Sequence, residues 1–177
     1  TDGPSVSGLT LPAYTNSTTL TLTPTVSDTS SGDNEYLLGT SNQAPDPATG
    51  WTKFTGQITV TFTGTGLRTQ YLWLKDSLGN ISGPITLQTT IDPNPPASVT
   101  SFLVNSGDNY TNSSTLTLTW DNSTDDISGI ASFFISDNST LPTSDSTWLS
   151  LTAGAYSTSF TLSNPQQGSK TLYLYLR

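Results

Sequence analysis

The chain has no cysteine, no histidine and no methionine among its 177 residues. Without Cys, a nucleophilic thiol is excluded; without His, so is any Ser-His-Asp arrangement. Zinc and the transition metals lose their best ligands. The lack of Cys permits bacterial secretion and weighs against a small disulfide-stapled animal domain. Basic residues are scarce as well: 5 Lys plus Arg stand against 13 Asp plus Glu, a formal charge of −8. A nucleic-acid interface needs a basic footprint, and an anionic membrane repels so acidic a chain. No apolar run is long enough to span a bilayer and no signal peptide opens the sequence, so direct insertion is not expected and any targeting segment is expected upstream. No amphipathic helix of useful length can be drawn.

Ser and Thr are abundant, about a third of the residues. The branched Cβ of Thr suits a pleated surface. Thr alternates with Leu, Ile and Val in short runs, and 14 Gly with 11 Pro punctuate them. One run occurs twice: Thr15-Asn16-Ser17-Thr18-Thr19-Leu20-Thr21-Leu22-Thr23 returns as Thr111-Asn112-Ser113-Ser114-Thr115-Leu116-Thr117-Leu118-Thr119. Trp51 is echoed by Trp148, and Tyr71-Leu72-Trp73-Leu74-Lys75 by Tyr173-Leu174-Tyr175-Leu176-Arg177. A repeat of roughly a hundred residues can bury its own core, so each copy is a domain. Strands are expected over residues 5–10, 18–26, 35–39, 57–63, 69–75 and 84–91 of the first copy. In the second they are expected over 114–120, 130–136, 157–162 and 171–177. The pattern predicts an all-β chain of two tandem antiparallel β-sandwiches, residues 1–91 and 92–177. Asp92-Pro93-Asn94-Pro95-Pro96 is the linker, and its prolines favour a stiff, extended connection.

The copies are unequal. The first continues past Lys75 through Asp76-Ser77-Leu78-Gly79-Asn80 into a strand ending at Ile91; the second has neither that turn nor that strand. A sandwich without it exposes backbone and core. The expectation is that the chain is a piece of a longer protein, or that a neighbouring subunit donates the strand.

The order of an Asp-x-Pro start, a Thr-rich second strand, a Ser-Gly turn, an isolated Trp and then residues 71–82 resembles tandem bacterial immunoglobulin-like repeats of large secreted surface proteins and adhesins. The resemblance covers one full repeat and most of the second. It implies an extracellular or cell-surface location and a structural role as adhesin stalk or filament. Partners would be neighbouring immunoglobulin-like domains of the same chain or like subunits. The alternative role is a carbohydrate- or protein-binding module, accessory to a secreted hydrolase. In neither role is the chain an enzyme. Asp125 and Asp126, with Asp121 nearby, share one loop, whereas glycoside hydrolysis needs two carboxylates across a cleft.

Two sets of residues are candidates for a site. Sandwich topology brings the start of a domain, the loop after its second strand and its last hairpin to one end. Asp2, Asp28, Asp76 and Asn80 of the first copy, and Asp92, Asp125 and Asp126 of the second, would then offer the oxygen ligands that Ca²⁺ requires. The plain alternative for Asp76 and Asn80 is a tight hairpin loop capped by its own side chains. Tyr71 and Trp73, with Tyr173 and Tyr175, would form an aromatic stripe on the sheet surface, open to a protein or to a sugar ring. The plain alternative is cross-strand aromatic packing. Trp51 and Trp148 read as packing elements, and Trp120, which replaces Pro24, as packing particular to its own copy.

Overall fold

The computed structural model describes residues 3–28, 32, 34–152, 154 and 156–177. The described residues are all-β apart from single 3-10 turns at Asn105–Gly107 and Asp145–Thr147. No helix among them is long and apolar enough to cross a membrane. The chain divides into two compact units, Thr1–Pro93 and Asn94–Arg177.

In the first unit the strands are β1 (Ser5–Ser7), β2 (Tyr14–Thr15), β3 (Thr19–Leu22), β4 (Thr25–Ser27), β5 (Glu35–Gly39), β6 (Thr52–Lys53), β7 (Ile58–Thr61), β8 (Gly66–Lys75) and β9 (Ile81–Ile91). One sheet has the order β2-β9-β8-β5-β6, in which β2 runs parallel to β9 and the other pairs are antiparallel. The remaining pairs are β1-β4 and β3-β7, of which β3 and β7 pack against the first sheet. Leu22, Ile58, Val60 and Phe62 meet Leu72, Leu87 and Ile91 from the first sheet in one buried cluster. The alternation does the sorting: Ile58 and Val60 have no exposed surface, while Thr59 and Thr61 face solvent. Burying each such aliphatic side chain stabilises the fold by about 1.5–3 kcal/mol. Thr89 also points inward, 1% exposed, and its hydroxyl donates to the Pro12 carbonyl at 2.7 Å. That bond lets a polar residue take a core position.

The second unit contains β10 (Phe102–Val104), β11 (Thr115–Trp120), β12 (Ser132–Ser136), β13 (Leu149–Ser150), β14 (Ser157–Thr161) and β15 (Tyr173–Leu176). They form two three-stranded sheets, β10-β11-β14 and β13-β12-β15. Leu116, Leu118 and Trp120 from one sheet pack on Phe133 and Ile135 from the other, with the Trp120 and Phe133 rings 5.2 Å apart.

Several expected strands are corrected. The run over 18–26 is two strands, β3 and β4, broken at Pro24. Proline has no N–H for the ladder. In the second unit Trp120 stands at that position, its N–H donates to the Tyr156 carbonyl at 3.0 Å, and β11 continues unbroken. The run over 5–10 stops at Ser7 for the same reason, since Ser7 pairs with Thr25 and the next partner is Pro24. Strands β2, β6, β10 and β13 were not expected; they are two or three residues long, too short to show a period of two. β8 and β9 both start three residues earlier than expected: Gly66, Leu67 and Arg68 pair with Ile91, Thr90 and Thr89, and a shift in register between Leu72 and Leu74 lets the pairing of β9 continue past Gly83-Pro84.

Candidate functional site

Only five residues of the chain are basic, and two of them sit at the same repeat position over the same repeated ring. In the first unit Lys75, at the end of β8, holds its ammonium 4.8 Å from the centre of the Trp51 ring. The same nitrogen lies 2.7 Å from Glu35 Oε2, its cross-strand partner, and donates to the Pro47 carbonyl at 3.1 Å. Trp51 Nε1 donates to the Asp46 carbonyl at 2.9 Å. In the second unit the Arg177 guanidinium lies 4.7 Å from the Trp148 ring and pairs with Asp145. Such contacts contribute about 0.5–2 kcal/mol, more as they are desolvated. Each ties the long loop before the Trp to the residue that ends β8 or directly follows β15, so these Trp residues fasten loops. Sequence reasoning missed the cations, although Lys75 and Arg177 close the two matching Tyr-Leu runs.

The aromatic stripe is corrected at Trp73. That ring is 5% exposed, because the bulged hairpin folds Gly83 onto it. A Cβ on Gly83 would lie 3.2 Å from Trp73 Cε3. A covered ring offers no face to a sugar or a partner. Tyr71 is half-buried. In the second unit the rings form a row: Tyr173 stacks on Tyr175 at 6.4 Å, Tyr175 on Phe134 at 6.2 Å, and Phe134 meets Trp148 at 6.0 Å. The Tyr175 hydroxyl donates to the Ser139 carbonyl at 2.8 Å. Tyr173 and Tyr175 are both half-buried.

Among the acidic candidates, Asp76 and Asp125 act on their own turns. Asp76 is 1% exposed and caps the β8–β9 hairpin. Its Oδ1 accepts from the N–H groups of Leu78 and Asn80 at 2.9 and 2.8 Å, and its Oδ2 accepts from the Asn80 amide at 2.6 Å. Asp76 and Asn80 are therefore brought together, but as partners of one another. Asp28 is half-buried after β4, and Asp2 lies outside the described residues. Asp92 is 7% exposed, and its N–H donates to the Thr15 carbonyl at 2.8 Å. In the second unit Asp126 is exposed, while Asp125 Oδ1 caps a turn by accepting from the N–H groups of Ile127, Ser128 and Gly129 at 3.1, 2.8 and 2.9 Å. Burial pushes the Asp125 carboxyl up; the hydrogen bonds from Ile127, Gly129 and Ser128 outweigh it and hold the group below its ordinary value. Asp121 is also lowered, first by the Thr100 hydroxyl and then by the Ser101 N–H. Asp137 is lowered by the hydroxyl and N–H of Ser163.

No family model and no curated protein matches this chain. Its chemistry is therefore read from the geometry alone. An open polar cleft of about 540 Å³ lies in the second unit, lined by Asp137, Asn138, Ser163, Asn164, Lys170 and Tyr173 among others. It offers amide, hydroxyl and carboxylate groups beside one aromatic ring. A narrower groove of about 220 Å³ lies between residues 96–99 and residues 174–176 of the same unit.

Proposed function

We propose that this chain is a structural segment of an extracellular surface protein, an adhesin stalk or filament built from immunoglobulin-like sandwiches. The observation that carries the reading is the sheet order of the first unit. A parallel β2 beside β9, followed by antiparallel β8, β5 and β6, packs against the β3-β7 pair. That arrangement supports reading the unit as an immunoglobulin-like sandwich. The second unit supports it with a matching Thr-Leu strand, a matching Trp and a basic side chain over that Trp, Arg in place of Lys. Repeated sandwiches of this kind act as spacers, and the prolines around residue 93 stiffen the connection. Antibody labelling of intact source cells tests the location: label on the surface or on shed fibres is expected, and label confined to lysed cells overturns it. Force spectroscopy of the chain tests the role, with two separate unfolding steps expected and a single featureless extension refuting it.

A second reading, a carbohydrate-binding module, is favoured by the cleft beside Tyr173. Sugar recognition combines an aromatic face with convergent polar groups. A glycan array probed with the chain and with Tyr173→Ala decides this reading: signal lost in the variant supports it, and no signal above background from the unaltered chain ends it.

A further inference from the structure

Six Asn residues open an Asn-x-Ser/Thr triplet, the acceptor motif for an N-linked glycan: Asn16, Asn80, Asn109, Asn112, Asn122 and Asn138. Chance supplies the motif often in a chain so rich in Ser and Thr, so local structure decides which triplets can react. Two groups must be open, the Asn side-chain nitrogen and the hydroxyl two residues on. At four triplets one of them is engaged or hemmed in. The Asn80 amide donates to Asp76 Oδ2 at 2.6 Å. Asn122 Oδ1 accepts from the Tyr156 hydroxyl at 2.7 Å, and Ser123 beside it is buried. The Thr140 hydroxyl turns back onto Asn138 Oδ1 at 3.1 Å, and the Thr111 hydroxyl, two residues after Asn109, accepts from the Ser113 N–H at 3.1 Å.

Asn16 and Asn112 differ. They occupy the same turn of the two copies, and its hydrogen bonds run through the serine that follows each of them. The Ser17 N–H donates to the Thr15 hydroxyl at 3.1 Å; its hydroxyl donates to the Thr19 carbonyl at 2.7 Å and accepts from the Thr19 N–H at 3.1 Å. Ser113 makes the same three bonds with Thr111 and Thr115, at 3.1, 2.8 and 3.1 Å. The turn therefore closes without the Asn. Asn16, Thr18, Asn112 and Ser114 are exposed, and their side chains have no hydrogen-bond partner among the described residues. A tyrosine stands two residues before each Asn, Tyr14 and Tyr110. Tyr14 stays 55% exposed although its backbone pairs with Thr90, so burial does not account for the ring. An aromatic face beside the attachment point can instead cover the C–H face of a pyranose.

We propose that Asn16 and Asn112 are N-glycosylation sites, and that Tyr14 and Tyr110 pack on the first sugar of each glycan. The donor is an oligosaccharide carried on a polyprenyl diphosphate. The Asn side-chain nitrogen bonds to C1 of the first sugar as the C1–O bond breaks. The polyprenyl diphosphate leaves with the electron pair, and the amide proton passes to a base of the transferase.

The inference rests on the extracellular reading, because N-linked acceptors of this kind belong to secreted proteins. The protein is purified from its source cells, and its proteolytic peptides are weighed and fragmented. Whole sugar residues are expected on Asn16 and Asn112, with Asn80 and Asn122 bare. Thr18→Ala, made in the same cells, is expected to clear Asn16 and leave Asn112 occupied. The change touches no hydrogen bond of the turn, so the fold is retained. Bare peptides at Asn16 and Asn112 overturn the proposal, as does equal occupancy at Asn80 and Asn122. So does sugar that fragmentation places on Ser or Thr, or that survives Thr18→Ala at Asn16. The C–H protons of the first sugar on Asn16 are expected to show ring-current shifts that vanish in Tyr14→Ala; unshifted protons in the unaltered protein remove the tyrosines from the proposal. Bare peptides from a protein that antibodies label on intact cells end the glycan and keep the location. Bare peptides from a protein confined to lysed cells end both.

Discussion

Replacing Gly83 by Ala tests the packing that distinguishes the first unit from the second. Gly83 has φ +120°, a conformation that costs a residue with a Cβ about 1–3 kcal/mol. The added carbon would also lie 2.8 Å from the Leu72 carbonyl oxygen and 3.3 Å from Trp73 Cα, both backbone atoms of the paired strand. Neither can rotate away, so β9 must lift from β8, an overpacking cost of about 1–3 kcal/mol. The sum is roughly 2–6 kcal/mol, against a net stability of about 5–14 kcal/mol for a unit of this size. Gly79→Ala is the internal control. It has φ +88° and nothing within 4 Å of the new carbon, so only the conformational cost of about 1–2 kcal/mol remains. The assay is amide exchange across β8 and β9 in increasing urea, which reads the opening of the first unit without interference from the second. Gly83→Ala is expected to lower the opening free energy by at least about 1 kcal/mol more than Gly79→Ala does. Equal losses in the two variants would refute the claim that β9 is clamped onto Trp73.

Three further outcomes are expected. Leu118→Ala removes a side chain with no exposed surface from the second core, and costs that unit about 2–5 kcal/mol in urea denaturation while the exchange of β8 is unchanged. Asp76→Ala leaves the Leu78 and Asn80 N–H groups without their carboxylate; a loss of roughly 1.5–3 kcal/mol is expected in the first unit, and a loss under about 0.5 kcal/mol would show that water replaces the cap. Acid affects the second unit through Asp121, Asp125 and Asp137, whose folded-state carboxyls lie below their ordinary value. A lowered folded pKa means that the unfolded chain takes up protons first. The stabilisation is therefore complete at neutral pH and is lost as pH falls from about 4 through the folded values. Calorimetric melts at steps between pH 7 and pH 2 check this, and a main loss above about pH 5 would contradict it.

The long runs of Thr-Leu and Thr-Ile alternation were readable because a pleated strand with one wet face imposes a period of two. Thr115–Trp120 and Ile58–Thr61 needed nothing further to be placed. The break at Pro24 was also written in the sequence, since the missing N–H is a property of the residue itself. The short strands were not legible. Tyr14–Thr15 is a strand only because Thr90 and Ile91 lie beside it, as the exposed Tyr110 shows where no such neighbour exists. Among the candidate site residues, the pairing of Asp76 with Asn80 follows from their spacing in a tight turn. The burial of Trp73 does not, because Gly83, which covers it, lies ten residues away.

By itself, then, the sequence determined the all-β class, the repeat and the chemistry that is excluded, because composition and local period act within a few residues of chain. Tertiary structure alone decided which aromatic faces are covered and that Lys75 and Arg177 lie over Trp51 and Trp148. Those contacts join residues 24 to 29 positions apart, and only the pairing of strands brings them within reach.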